Sequence, residues 1–425
     1  MALMKHVVHV MFSAVLYGMT ASAVVAFDIS SNKNLAVYWG QNSYGASHYN
    51  DKARWQQRLA HYCKDSVVDI FPIAFLTEFH GEGDLPSINL GNTCNSGNSV
   101  EFAGTQLLDC SFLASDIEEC QTAGKIVTLS IGGATGSIGF QNDAQATEYA
   151  QVIWDIFLGG TSSTRPFGTA VLDGIDMDIE GGSQTGYAAF LNTLRKLMDT
   201  SKKKFYFTAA PQCVFPDAYL GDTLNAVGFD AIYVQFYNNW CGLQNYNNAD
   251  AWNFGTWDHW AKTISPNRDV KIYIGAPASP SAGSGYVDAW RLSTIIRETM
   301  AQYSSFGGVM LWDVSQAYAN NRYDKSVKNA LVQNRSPTTI VSPIATSTTV
   351  TKTVTTTSPT SSSTSCSGIK SWKKSTIYVK GDRATYDGHL WMAKWWTTDD
   401  VPGGNADVWV DGGFCGDATA PRCTR

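Results

Sequence analysis

Residues 172–180 hold the side chains best suited to chemistry in this 425-residue chain. Asp176, Asp178 and Glu180 recur at every second position, with an aliphatic residue between neighbours. On a β-strand this spacing places the three acids on one face, with neighbouring acids about 7 Å apart. Like charges at that distance repel, so we expect at least one of these acids to keep its proton to unusually high pH. A carboxylic acid with a raised pKa is a suitable general acid catalyst.

Two alternatives would give such a run a different meaning, namely a solvated acidic strand or a site for a divalent cation. The apolar residues 170–172 precede the acids, and the pair Gly181-Gly182 comes after them. These flanks favour a buried strand that ends in a loop over a solvated strand. We therefore expect the acids to serve catalysis.

Eight apolar runs with strand character recur along the first three quarters of the chain, and helical patterns lie between them. Most of the runs are almost continuously apolar, which is typical of strands covered on both faces. Eight strands that alternate with helices predict a (β/α)8 barrel, whose active site lies at the C-terminal strand ends. On this count, Glu180 is the last residue of the fourth strand. The eight runs are residues 35–39, 67–75, 126–131, 171–179, 205–210, 231–236, 272–275 and 308–312.

Composition divides the chain into four segments. Residues 1–26 have the pattern of a secretory signal peptide, with a basic residue, an apolar stretch and small residues near the end. Residues 336–365 are dominated by Ser, Thr and Pro, and such linkers are often O-glycosylated. This linker separates a barrel in residues 27–335 from a small C-terminal unit in residues 366–425.

Charge and cysteine content narrow the range of partners and compartments. The net charge of −6 and the lack of a basic face argue against nucleic-acid binding. The 14 Trp and 19 Tyr favour a protein that stacks on sugar rings. Nine cysteines without zinc spacing predict disulfides in an exported chain, with one thiol left over. We expect a secreted, extracellular monomer that does not bind membranes after signal cleavage and that could associate with a cell wall.

Several motifs resemble those of glycoside hydrolase family 18. The DxxDxDxE signature of that family is matched by residues 173–180, and its SxGG motif is matched by residues 130–133. The resemblance runs from residue 34 to about residue 330 and is specific to the class III (hevamine-like) chitinases. The segments similar to that class are residues 38–42, 208–213, 234–239 and 307–312.

The resemblance implies an endochitinase, which hydrolyses the β-1,4 bonds between N-acetylglucosamine units of chitin and of its oligomers without a cofactor or metal. Glu180 would protonate the leaving oxygen, while the 2-acetamido oxygen of the substrate would act as the nucleophile, with net retention of configuration. Asp178 would accept a hydrogen bond from the acetamido N–H, and Asp176 would share a proton with Asp178. Tyr237 would donate a hydrogen bond to the acetamido oxygen, and Trp312 would lie beneath the central sugar. Other positions that match sugar contacts are Gln235, Asn238, Tyr38, Gly133 and Asn89.

The resemblance also implies the disulfides Cys63–Cys120, Cys94–Cys110 and Cys213–Cys241. Cys366 and Cys415 bracket the C-terminal unit and are expected to bond, which leaves Cys423 unpaired.

The C-terminal unit resembles small β-rich chitin- and cellulose-binding modules through its sequence AKWWT at residues 393–397. On a strand, Trp395 and Trp396 would point to opposite sides, so that one ring could stack on a polysaccharide. Two other activities stay open at this point. They are an endo-β-N-acetylglucosaminidase that acts on glycoproteins, or a catalytically weak chitin-binding lectin or inhibitor built on the same barrel.

Overall fold

The structure is a computed structural model that describes residues 27–333 and most of residues 366–415. Within the second range, the description omits residues 367, 375, 377, 379–380, 394–396, 398–399 and 404–407. The expected signal peptide, the linker, Trp395, Trp396 and Cys423 therefore lie outside the described residues.

Parallel strands in residues 27–333 close into a barrel. The strand β1 completes the closure, because it pairs in parallel with both β2 and β9, while the short β3 adds to β2 in antiparallel fashion. Every apolar run predicted to be a strand contributes a strand to this barrel, so the (β/α)8 prediction is confirmed. The strands are β1 (Asn34–Val37), β2 (Ile70–Glu78), β3 (Ser87–Ile88), β4 (Ile126–Gly132), β5 (Gly174–Asp178), β6 (Tyr206–Ala209), β7 (Ala231–Gln235), β8 (Lys271–Pro277) and β9 (Phe306–Trp312).

Helices alternate with the barrel strands and cover their outer faces. The helix α5 follows β5, with Gly186 at its N-cap in the left-handed conformation (φ 80°) that glycine adopts readily. The helices are α1 (Ser43–Ser47), α2 (Leu59–Cys63), α3 (Ala114–Thr122), α4 (Asp143–Phe157), α5 (Tyr187–Met198), α6 (Gly221–Ala226), α7 (Phe254–Thr263), α8 (Ala289–Gln302), α9 (Val314–Ala319) and α10 (Tyr323–Val332).

Alternation along the strands separates the core into two layers. On β1, Leu35 and Val37 join the large cluster that packs against the helices. Ala36, between them, joins a smaller cluster that also contains Tyr233 and Tyr273. Since alternate side chains of a strand point to opposite faces, the smaller cluster is the interior of the barrel.

The strand β5 is shorter than predicted. Its pairing with β4 ends where Gly132 lies opposite Asp178, and its pairing with β6 ends where Met177 lies opposite Ala209. Glu180 therefore lies two residues beyond the end of the strand, and the prediction that it is the last strand residue is wrong. The position at the C-terminal end of the barrel is unaffected.

Four disulfides agree with the expected pairs. Three lie in the barrel and join Cys63 to Cys120, Cys94 to Cys110, and Cys213 to Cys241. The fourth joins Cys366 to Cys415 in the C-terminal unit. The Cys213–Cys241 bond ties the connection after β6 to the connection after β7, which also contains Tyr237.

The C-terminal unit contains an antiparallel sheet of β10 (Arg383–Tyr386), β11 (His389–Ala393) and β12 (Trp409–Phe414). A small core fills it, made of Tyr378, Ala384, Ala393, Val408 and Trp409. The β-rich prediction for this unit is confirmed. In the ranges that the structure describes, no helix combines the length and the apolar character needed to cross a membrane.

Candidate active site

A cavity of about 310 Å³ opens at the C-terminal ends of the barrel strands. Two carboxylates, Asp178 and Glu180, lie in it together with amide, hydroxyl and aromatic side chains. Of the ten site residues predicted in the barrel, seven line this cavity. The lining residues are Gln41, Phe75, Thr77, Asn89, Ala134, Thr135, Asp178, Glu180, Gln235, Tyr237, Asn238, Ala282 and Trp312.

Asp176 lies beneath the cavity and is fully buried. Its two carboxylate oxygens accept hydrogen bonds from Tyr38 Oη (2.7 Å), Ser130 Oγ (2.7 Å) and Thr208 Oγ1 (2.6 Å). Burial raises the pKa of this carboxyl, whereas the three hydroxyl donors lower it. Asp176 is thus a buried acid held in one orientation by donors from three neighbouring segments of the barrel.

Asp178 is a buried carboxyl in the cavity lining whose surroundings oppose its charge. Gln235 Nε2 donates to its Oδ1 at 2.9 Å and also to the carbonyl of Ala210 at 2.9 Å, which fixes the Gln235 amide. Burial, together with the charges of Glu180 and Asp176, raises the pKa of Asp178 well above its usual value. The expectation that one acid of the run keeps its proton to high pH is confirmed in direction.

Glu180 lines the cavity and is exposed to solvent there. Desolvation by the nearby protein atoms is the main cause that raises the pKa of its carboxyl, while the hydrogen bond with Gln235 lowers it. The charge of Asp217 raises the pKa further. The sequence predicts repulsion within the acidic run as the main cause of the raised Glu180 pKa, but desolvation by the surrounding protein is the larger cause.

Tyr237 completes the polar wall of the cavity. Its side chain is 7% exposed, and burial together with the charges of Asp178, Glu180 and Asp176 raises the pKa of its hydroxyl well above the usual value. The hydroxyl therefore stays protonated at neutral pH and can donate a hydrogen bond.

Trp312 and Phe75 form an aromatic surface in the cavity. Their ring centroids are 5.8 Å apart and the planes differ by 18°. A partly exposed indole of this kind offers an apolar face to a sugar ring.

Two residues predicted to contact sugar lie behind the cavity wall. Tyr38 is 1% exposed and reaches Asp176 instead. Gly133 lies behind the Phe75 ring, where a Cβ atom would come within 2.6 Å of that ring. The Gly133 N–H also donates to the Asp178 carbonyl at 2.7 Å, so this glycine supports both the aromatic surface and the acidic strand.

The alternatives for the acidic run find no support in the geometry. The strand β5 is buried along its length, which contradicts a solvated strand. In residues 27–333 and the described parts of residues 366–415, no three His, Cys, Asp or Glu side chains converge to hold a metal ion.

Several residues of the site were missed by sequence reasoning. Gln41 and Ser130 lie inside motifs already recognised, and Thr208 is the first residue of another such motif. Their positions in these motifs could have identified them. Asp217 lies in the connection between β6 and α6, and no spacing pattern marks it.

Comparison with known proteins agrees with this geometry. The family model "Glycosyl hydrolases family 18" matches residues 34–285. The model "Carbohydrate-binding module family 5/12" matches residues 371–410. Chitinase 2 of Rhizopus oligosporus is 46% identical over 310 residues, which are 73% of this chain and 54% of that protein. The chain thus spans about half the length of several curated relatives it matches.

Solved structures with the same barrel carry different descriptions. A chitinase from Ipomoea carnea is 34% identical with a TM-score of 0.57, and the match covers 70% of this chain and 99% of that one. A xylanase and alpha-amylase inhibitor protein from Scadoxus multiflorus is 32% identical with a TM-score of 0.56, over 69% of this chain and 97% of the other. The family model covers more than half of the chain, and two acids of its signature meet in one cavity. This chain belongs to glycosyl hydrolases family 18.

Proposed function

We propose that this protein is a chitinase that hydrolyses β-1,4 bonds between N-acetylglucosamine units. The observation that carries the proposal is the grouping of Glu180, Asp178 and Tyr237 in one cavity beside the exposed face of Trp312. This grouping offers a proton donor, a hydrogen-bond acceptor, a hydrogen-bond donor and a sugar platform within the space of a few sugar rings. Chitinase 2 of Rhizopus oligosporus, at 46% identity over 310 residues, supports the same substrate class.

Glu180 acts as the general acid. Its raised pKa keeps it protonated above the usual range of a glutamic acid, and its access to the cavity lets it reach the glycosidic oxygen. The proton passes from the Glu180 carboxyl to the leaving oxygen as the C1–O bond breaks.

The nucleophile is the acetamido oxygen of the substrate. Asp178 is the other carboxylate of the cavity lining, but it is 3% exposed, bonded to Gln235 and has a strongly raised pKa, so it is a poor nucleophile. It is instead suited to accept the acetamido N–H, while the Tyr237 hydroxyl donates to the acetamido oxygen. Water then opens the cyclic intermediate, with Glu180 as the general base, and the configuration is retained.

Substrate binding uses the remaining walls of the cavity. Trp312 supports the central sugar, and the amides of Gln235, Asn238 and Asn89 line the space that its substituents would occupy. Asn238 has a positive φ of 57°, and its Oδ1 accepts a hydrogen bond from the Ser284 N–H at 2.8 Å, which fixes the direction of its amide.

The protein is secreted and uses its C-terminal module to hold insoluble chitin. The four disulfides of the described residues suit an oxidising compartment. The match of residues 371–410 to a carbohydrate-binding module supports a binding role for this unit. The expected linker would let the module stay on the polymer while the barrel works along it. The protein acts as a monomer in this proposal.

A lectin or inhibitor is a second candidate, because an inhibitor protein shares the fold. Retention of Glu180, Asp178 and Tyr237 in an open cavity favours an enzyme. An endo-β-N-acetylglucosaminidase would use the same acids, but a chitin-type module favours a polymeric substrate.

The stereochemistry of the product tests this proposal. Proton NMR at early times of N-acetylglucosamine tetramer hydrolysis should show the β-anomer first, because two displacements at C1 retain configuration. The fully deacetylated tetramer should not be cleaved, because it lacks the acetamido oxygen. An initial α-anomer, or equal cleavage of the deacetylated tetramer, would contradict substrate assistance, and no cleavage of either would contradict the enzyme itself.

Removal of the module should separate binding from catalysis. We expect deletion of residues 336–425 to weaken retention on insoluble chitin by roughly tenfold or more, since each 1.4 kcal/mol of lost binding energy is about a factor of ten. Turnover of soluble tetramer should stay unchanged. Trp395→Ala and Trp396→Ala, made separately, should reproduce the loss for the ring that stacks on chitin and not for the other. Equal retention by the truncated protein would refute the anchoring role.

A further inference from the structure

Asp217 is a buried carboxylate that the proposed mechanism does not use. It lies in the connection between β6 and α6 and is 4% exposed. Among the described residues, its hydrogen-bond donors are backbone N–H groups: Gln212 at 2.9 Å, Tyr219 at 2.8 Å and Leu220 at 2.7 Å. Burial raises the pKa of this carboxyl, and the three donors oppose that effect by favouring the ionised form. The three donors hold this carboxylate in one orientation and tie residues 212, 219 and 220 together.

One side of the segment that Asp217 anchors adjoins β7. Gln212 forms a parallel bridge with Gln235, the Gln235 N–H donates to the Pro211 carbonyl at 2.8 Å, and the Gln235 side chain donates to Asp178. Asp217 is therefore connected to the orientation of Asp178 through two backbone contacts and one side-chain contact.

The other side of the segment adjoins the loop that begins after Glu180. In that loop, Gln184 Nε2 donates to the Ala218 carbonyl at 3.2 Å, and Gln184 Oε1 accepts from the Asp222 N–H at 2.9 Å. The segment held by Asp217 thus supports both the partner of Asp178 and the loop of the proton donor.

The charge of Asp217 also acts on the two carboxyls of the cavity, Glu180 and Asp178. It is among the causes that raise the pKa of Glu180 and of Asp178, and it is the contributor that lies outside β5 and its signature. The other titratable groups that interact with Glu180 come from two elements or their ends: Asp178 on β5 and Tyr237 after β7.

We propose that Asp217 is a positioning residue of this active site, which fixes the β6–α6 segment against Gln235 and places a negative charge in the segment that contacts the loop of the proton donor. The proposal rests on the chitinase function proposed for this site and adds a residue that tunes it from outside the signature motif.

The test compares the pH dependence of kcat for Asp217→Asn with that of the native protein, on soluble N-acetylglucosamine tetramer. The asparagine has nearly the same shape, and its Oδ1 can still accept from Tyr219 and Leu220, although its NH2 group cannot accept from Gln212. Because it has no charge, Glu180 should lose its proton at lower pH. The basic limb of the profile should then move down by about one pH unit, which lowers kcat roughly tenfold on that limb. KM should stay within about twofold, because Asp217 does not line the cavity.

A matched control removes one charge from the same segment. Asp222 is exposed at the start of α6, so Asp222→Asn should not shift the basic limb of the pH profile. Asp217→Glu keeps the charge and should also keep the limb, although its longer side chain should lower kcat several-fold by shifting the segment. If Asp217→Asn does not fold, Asp217→Glu decides: native kcat in that variant would overturn the proposal.

Carbon-13 NMR titration of the Glu180 carboxyl, assigned with Glu180→Gln, gives a readout without catalysis. The Glu180 pKa should fall in Asp217→Asn and not in Asp222→Asn. An unmoved pKa and limb in folded Asp217→Asn, or an equal shift in Asp222→Asn, would overturn the proposal. Absence of hydrolysis by the native protein would instead contradict the proposed function, and the titration would still decide the role of Asp217.

Discussion

Glu180→Gln should lower kcat on N-acetylglucosamine tetramer by between about 10²- and 10⁴-fold, the range that general acid catalysis contributes. The amide has almost the same shape as the acid and keeps an oxygen and a nitrogen for hydrogen bonds, but it has no proton to give to the leaving oxygen. Binding should persist, because the walls that hold the sugar are unchanged. Measurement of kcat and titration calorimetry of tetramer binding, both on Glu180→Gln, separate the loss of catalysis from any loss of binding.

The turnover of the native protein should depend on the same Glu180 proton when the pH is varied. Because the cavity raises the Glu180 pKa, the acid is protonated at low pH and loses its proton only as the pH rises through that raised value, so kcat should fall along a basic limb. Glu148→Gln, at an exposed position on α4, is the matched control and should keep native kcat. Near-native turnover by Glu180→Gln would rule out Glu180 as the proton donor.

Much of the barrel was predictable because its strands are covered on both faces. A run such as residues 231–236 is apolar at nearly every position, and β7 is buried along its whole length. The ends of strands were less predictable, as β5 shows. Residues 171–173 resemble a strand in pattern as closely as residues 174–178 do, but the partner strands β4 and β6 determine where the hydrogen-bonded ladder begins and ends. The sequence of a strand does not show where its partner strands begin and end.

The residues of the site were likewise predictable where local spacing decides their position and not where other strands decide it. Spacing alone was enough to group Asp176, Asp178 and Glu180 at the C-terminal end of one strand and to predict a raised pKa. The partners of these acids come from other strands, so Tyr38 was predicted to contact sugar while the structure turns it inward to Asp176. Asp217 is the clearest case, because its influence depends on burial and on proximity across the barrel end, and neither leaves a pattern in the chain.

The contrast between two aspartates of the signature separates chemistry from support. Asp173 lies just before β5, and its carboxylate accepts the Val127 N–H at 2.8 Å and pairs with Lys203 at 2.8 Å. It meets partners that favour its charge. Asp178 meets burial and like charges, which oppose its charge. The same substitution at the two positions should therefore change the free energy of unfolding in opposite directions.

Asp178→Asn should lower kcat by about 10²- to 10³-fold, as the loss of one preorganised polar group in an active site does, and yet raise stability at neutral pH by roughly 1 kcal/mol. The folded-state pKa of Asp178 is raised, so its unfavourable effect is absent below the pKa of the unfolded chain and grows as the pH rises toward the folded value. The asparagine removes that effect while its Oδ1 can still accept the Gln235 amide.

Urea unfolding of Asp178→Asn and of Asp173→Asn over a range of pH measures both signs. The gain for Asp178→Asn should shrink toward zero as the pH falls to that of an unperturbed carboxyl, because both forms are then neutral. Asp173→Asn should instead lose roughly 1–3 kcal/mol at neutral pH, since Lys203 and the Val127 N–H lose a charged partner. If Asp178→Asn were destabilised at neutral pH, burial and repulsion would not be the dominant forces on that carboxyl. The hydrogen bond from Gln235 would then outweigh them, and Asp178 would stabilise the fold as Asp173 does.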